Sequence, residues 1–147
     1  MSTPLPSRPG APAMAEHRVL TELDEVRLRR LLARQAGPEP LADALCRLLD
    51  ESDVVPSRAM APQVVTMLSR VTVRPIEGGP VRSVTLVYPA EAQAEQGPLS
   101  VLSPAGLALL GWPVGQQVQW TKPDGRLARW EIVAIEYQPE AAGHFTV

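Results

Sequence analysis

The 147-residue chain has one cysteine, two histidines, one lysine and six aromatic residues. A lone Cys46 makes neither an internal disulfide nor a cysteine metal site, a usage that fits a reducing cytosol. Its place on a helical pattern reads as a small packing residue. His17 and His144 lie near the two ends, too few and too far apart in sequence for a triad or a multi-histidine metal site. Long apolar runs are also missing. The longest, 105–114, is broken by glycine and proline and is far short of the roughly 20 residues that span a bilayer. No membrane helix and no signal segment is therefore expected. Basic residues are not in surplus either: 14 stand against 16 acidic ones, for a net charge of -2. That balance excludes the global positive field behind sequence-independent nucleic-acid binding, and direct DNA or RNA binding is not expected. Gly78-Gly79 is followed by neither a helix nor a Lys-Ser/Thr pair, so it is no phosphate loop.

Proline, by contrast, is abundant at 16 residues, four of them within the first 12. The rest are scattered, which reads as punctuation between folded elements. Residues 1–19 are rich in proline, alanine and small polar residues, with too little apolar periodicity for a core, and read as a disordered leader. At Thr21 the pattern turns helical. Thr21 is placed to cap, and Glu22, Asp24 and Glu25 put negative charge in the first turn. Leu20, Leu28, Leu31 and Leu32 share one stripe, with Leu23 and Val26 to one side. Gly37, Pro38 and Pro40 end that helix. A second runs over about 41–52, with Leu41, Ala44, Leu45, Leu48 and Leu49 on one face. So short a connection makes the pair antiparallel.

Residues 53–63, with Pro56 and Pro62, read as a linker. Beyond it the period changes to that of strands, at 69–74 and 82–88, and the Lys122-Pro123-Asp124-Gly125-Arg126 stretch marks a hairpin between 117–121 and 127–136. Ser103 and Pro104 open a short helix as cap and first helical residue. All six aromatics lie in this half, so it holds the main core. The fold class is α+β: a short antiparallel helical hairpin over 20–52, then a sheet domain with one short helix over 64–147. Trp112, beside Pro113, reads equally as core or as an exposed interface anchor.

No catalytic constellation and no cofactor or metal site emerges. The carboxylates Glu39, Asp43, Asp50, Glu51 and Asp53 crowd the second helix. The spacings Asp43 to Arg47 and Glu25 to Arg29 instead favour a solvated face with local ion pairs.

Several strings carry more than composition: Thr85-Leu86-Val87, Leu102-Ser103-Pro104, Ala108-Leu109-Leu110-Gly111, Val114-Gly115, and the run from Ile132 to Tyr137. In these the C-terminal half resembles the C-terminal domain of the bacterial Gre transcript-cleavage factors. Val64-Val65-Thr66-Met67, Leu86-Val87-Tyr88-Pro89-Ala90, Leu99-Ser100-Val101, Leu41-Ala42-Asp43-Ala44-Leu45 and the run from Tyr137 to Gly143 narrow the resemblance to a branch of the Gre-like family, the regulators of nucleoside diphosphate kinase. It extends from about Leu20 to the C-terminus.

The resemblance implies a coiled coil followed by an FKBP-like antiparallel sheet domain, in a cytoplasmic protein that binds RNA polymerase at its secondary channel. The C-terminal domain would dock at the rim, with the coiled coil pointing inward. Gre factors hold a catalytic Mg²⁺ with acidic residues at a long coiled-coil tip. This sequence departs from that pattern. Its arms are only about 18 to 24 Å long, and its turn has no acidic pair on adjacent turns: Glu39 lies in the turn and Asp43 one turn into the second helix. The expectation is a non-catalytic regulator that competes with Gre factors for the channel. Leu102, Ser103 and Pro104 are the expected polymerase-docking residues, although the same residues also suffice simply to start a helix. Asp43 is the expected tip acid. Two other readings remain: an FKBP-like prolyl isomerase, suggested by fold alone, and a generic cytosolic interaction module acting on nucleoside diphosphate kinase.

Overall fold

Strand β1, Val19–Thr21, leads into helix α1, Glu22–Ala33. The structure is a computed structural model that describes residues 17–34, 39–91 and 97–144. Residues 1–16 of the expected leader, the expected turn residues 35–38 with Pro38, residues 92–96, and residues 145–147 with Phe145 lie outside the described residues. The Thr21 hydroxyl accepts the Asp24 amide at 3.0 Å, which is the cap read from the sequence. Helix α2, Glu39–Glu51, starts two residues earlier than expected. Pro40 therefore sits in its first turn, where a missing N–H breaks no helical hydrogen bond. It opens the second helix instead of ending the first.

The arms have 12 and 13 residues, or about 18–20 Å each. Leu28, Leu31, Leu45, Leu48 and Leu49 are buried, and Arg29 reaches both Glu25 at 3.2 Å and Asp50 at 3.3 Å across the pair. Val26 is exposed.

The segment expected to be a linker is folded. Strand β2, Asp53–Val55, pairs in parallel with β1 in the register Val19 to Asp53, and Ser57–Ala59 forms a 3-10 turn. The helical hairpin is thus the crossover between two parallel strands, and both its roots are fixed. The leader also ends earlier than expected. The Val19 amide donates to the Gly111 carbonyl at 3.0 Å, and the Arg18 carbonyl accepts from the Asp53 amide at 2.9 Å.

The body is a five-stranded sheet built from β3 (Arg70–Pro75), β4 (Arg82–Val87), β5 (Pro98–Ser100), β6 (Gln117–Thr121) and β7 (Leu127–Tyr137). The order is β5-β4-β3-β7-β6. The sheet is mixed, not wholly antiparallel: β4 and β5 pair in parallel, because the chain loops out after β4 and returns along its edge. Helix α3, Pro104–Leu109, follows β5. Val71, Val73, Leu86, Trp130 and Ile132 of the sheet join Leu107 and Leu109 of α3 and the hairpin leucines in one buried cluster.

One charged side chain lies inside the junction between hairpin and sheet. Asp24 is 3% exposed, and its Oδ2 accepts the Met67 amide at 3.1 Å. The same turn is held from the other side, where Thr66 Oγ1 donates to Glu140 Oε1 at 2.7 Å. Ser69 Oγ accepts the Thr66 amide at 3.0 Å, and Leu68 between them has φ 68°, a left-handed conformation rare for a branched side chain. Burial raises the Asp24 pKa from 3.8 to about 7, against the Met67 hydrogen bond, which lowers it. Glu140 adds to the rise, and Arg27 and the Thr21 side chain oppose it.

Because the folded value exceeds the unfolded one, the protonated Asp24 favours the fold. Its contribution is complete below about pH 4 and is lost as the pH rises through about 7. At ~1.4 kcal/mol per pKa unit the effect is at most ~4 kcal/mol. Asp24→Asn should therefore raise the melting temperature at pH 8 and flatten the pH profile between 5 and 8. Profiles for variant and wild type that run parallel would contradict this assignment. A second prediction concerns Gly106, where a Cβ would stand 2.0 Å from the Ser100 carbonyl oxygen. Gly106→Ala should lower unfolding stability in urea by ~1–3 kcal/mol; an unchanged midpoint would show that α3 has room to move off β5.

Candidate functional site

Helix α3 starts from a tight chain of hydrogen bonds. Ser100 Oγ accepts the Leu102 amide at 3.0 Å, and Ser103 Oγ donates to the Ser100 carbonyl at 2.6 Å. Ser103 Oγ also accepts the Gly106 amide at 3.0 Å, making it the helix cap expected from the sequence. The three residues expected to dock are placed differently from one another. Leu102 is only 8% exposed and belongs to the core cluster. Ser103 is half-buried with its hydroxyl engaged on both sides, and Pro104 is exposed. Any docking through this segment rests on Pro104.

Pro104 borders a groove of about 380 Å³ between α2 and α3, shared with Leu107, Ala108, Leu41, Ala44 and Leu48. The apolar stripe of α2 forms one wall because its leucines recur at helical spacing, and the small side chain of Ala108 keeps the other wall low. Gln119 of β6, Arg47 and Glu51 complete the rim. A second hollow of about 540 Å³, lined by His17, Ser52 and Trp112, shares Arg18, Leu48 and Glu51 with the first.

Arg18 ties this region together. Its guanidinium donates to the carbonyls of Leu107 and, at 2.9 Å, Leu110, and lies 5.1 Å from the centre of the Trp112 ring. A cation at the end of α3 complements the carbonyl dipoles exposed there. Burial pushes the Arg18 pKa down to about 10, with the nearby Glu51 acting in the opposite direction; the group stays cationic at neutral pH. Trp112, half-buried under this guanidinium and packed on the core, is neither fully interior nor free.

Asp43 is exposed on α2 and has no hydrogen-bond or ion-pair partner among the described residues. Of the two ion pairs expected from i, i+4 spacing, Glu25 with Arg29 forms and Asp43 with Arg47 does not. Among the described residues no three acidic, histidine or cysteine side chains are grouped to hold a metal ion, and no helix is long and apolar enough to cross a membrane. Cys46 is exposed, so it is not the packing residue expected.

Two roles are not read from the sequence: that of Arg18, which lines the groove, and that of Asp24, which appears there only as a first-turn acid. Asp24 had a legible signal: it lies four residues after Leu20 and four before Leu28, on the buried stripe itself. Arg18 had none, since its partners are carbonyls about 90 residues away.

Comparison with known proteins places this architecture. The family described as Transcription elongation factor, GreA/GreB, C-term matches residues 60–137, more than half of the chain. The "Regulator of nucleoside diphosphate kinase" of Escherichia coli (strain K12) is 42% identical over 128 residues, which cover 86% of this chain and 94% of that protein. The "Transcription elongation factor GreA" of Solidesulfovibrio magneticus is 34% identical over 85 residues, covering 58% of this chain and 51% of that protein. Among solved structures, the "Prokaryotic transcription elongation factor GreA/GreB from Nitrosomonas europaea" superposes with a TM-score of 0.70 at 34% identity, covering 84% of this chain and all of that one. These relatives are named as a regulator and as transcription factors, not as enzymes. The chain therefore belongs to the GreA/GreB transcription elongation factor family, in the branch of the regulators of nucleoside diphosphate kinase.

Proposed function

We propose that this protein is a non-catalytic transcription regulator that binds RNA polymerase near the secondary channel and competes there with Gre factors. The observation that carries the reading is the length and fixing of the hairpin. Its arms have 12 and 13 residues, about 18–20 Å each, and their roots are closed by the β1–β2 pairing. An arm rooted in this way gains no reach by fraying at its base. The match to Solidesulfovibrio magneticus GreA covers only 51% of that factor, which is in keeping with a chain that shares the docking domain and has shorter arms. A protein that docks by the shared domain and stops short of the active centre acts by occupying the channel mouth. No chemistry of its own is then required.

The test is competition for core RNA polymerase. Rising concentrations of this protein should displace a labelled Gre factor and suppress Gre-stimulated transcript cleavage in stalled complexes, while supporting no cleavage alone. Failure to displace the Gre factor at saturating protein would overturn the reading.

A further inference from the structure

The groove between α2 and α3 carries a charge pattern that its internal contacts leave unanswered. Its walls are apolar: Leu41, Ala44 and Leu48 on α2 face Pro104, Leu107 and Ala108 on α3. Its two cations are unlike. Arg18 is held by carbonyls and stacked on Trp112, whereas Arg47, exposed on the rim, has no hydrogen-bond or ion-pair partner among the described residues. Around it stand the exposed acids Asp43 one turn before and Glu51 one turn after, while Asp50, nearly one turn after, is engaged by Arg29 at 3.3 Å. An arginine in this setting offers a forked donor to a single carboxylate, while the flanking acids repel a polyanion and attract cations. A nucleic-acid backbone does not fit that alternation. A polypeptide segment with one acidic residue between basic ones does, provided that it also brings apolar side chains to fill about 380 Å³ of groove, room for about two leucine-sized groups.

We propose that this groove is the docking site for an amphipathic segment of RNA polymerase, whose apolar side chains fill the space between α2 and α3 and whose single carboxylate, flanked by basic residues, pairs with Arg47. The proposal rests on the polymerase reading above and names the surface and the chemistry that reading lacks. It makes Pro104 one wall of a site shared with the hairpin. Docking then engages hairpin and sheet domain together.

The experiment measures affinity for immobilised core RNA polymerase. Arg47→Ala should weaken binding about tenfold and Arg47→Glu further. Ala44→Phe, which fills the groove, should weaken it at least as much, and Arg82→Ala on β4, which does not line the groove, should leave it unchanged. Melting temperatures establish which variants are folded. Hydrogen exchange of the wild-type chain in the complex provides the second measurement, with new protection expected over 39–51 and 104–109; it decides the matter even where Ala44→Phe fails to fold. Wild-type protein that binds polymerase while the Arg47 variants keep its affinity, or while protection falls elsewhere, overturns the groove and leaves the polymerase reading standing. Wild-type protein that does not bind polymerase overturns both.

Discussion

The hydrogen bond from the Met67 amide to the buried Asp24 side chain joins helix α1 to the sheet body from inside their junction, and the seating of the hairpin depends on it. The bond is unusual in what it places together. Asp24 on α1 and Glu140 beyond β7 grip the same turn from two sides, one through the Met67 amide and one through the Thr66 hydroxyl. Leu68 within that turn takes a left-handed conformation, which persists only where neighbouring bonds over-determine it. Here Leu68 donates to the Leu86 carbonyl at 2.7 Å, and Ser69 bridges back to Thr66. Apolar packing alone leaves a helix free to slide on a sheet. A buried carboxylate has one place to go, since its removal from that place leaves both acid and amide without partners.

Arg18 is the counterpart at the other side of the hairpin root. It precedes β1, yet its guanidinium closes the C-terminal end of α3 and covers Trp112. The parallel pairing of β1 with β2 fixes both roots to one another, Asp24 fixes α1 to the sheet, and Arg18 fixes the strand before α1 to α3. Three unlike interactions thus set the gap between α2 and α3. A surface determined this way is pre-organised, and a partner entering it spends little of its binding free energy on ordering the site.

What was legible in the sequence was local. The caps at Thr21 and Ser103, the Asp124-Gly125 turn and the leucine stripe all depend on residues within one or two turns of each other, and each appears where its pattern predicts. What was not legible depends on distant partners. β1 and β2 are three residues long and pair across the whole hairpin, so neither has a period to detect, and residues 53–63 read as a linker in consequence. The parallel edge strand β5 is equally short. Leu102 is expected at the surface only through the family resemblance of its string, and the turn that caps α3 places it in the core cluster. Asp24 was counted as a first-turn acid, a reading that explains its charge and overlooks its position on the buried face.

The same distinction explains the family strings that carry no chemistry. Val64-Val65-Thr66-Met67 and the run from Tyr137 to Gly143 lie about 70 residues apart and look inert in sequence. In the fold they meet: Gln138 Nε2 donates to the carbonyls of Ala61 and Val64 at 2.8 Å each, and Glu140 receives Thr66. Together they build the turn on which Asp24 rests. Their part is to aim the hairpin. On the proposed reading, arms of 12 and 13 residues act by where they point and not by how deep they reach, so the residues that hold this angle would bear on function as directly as those that line the groove.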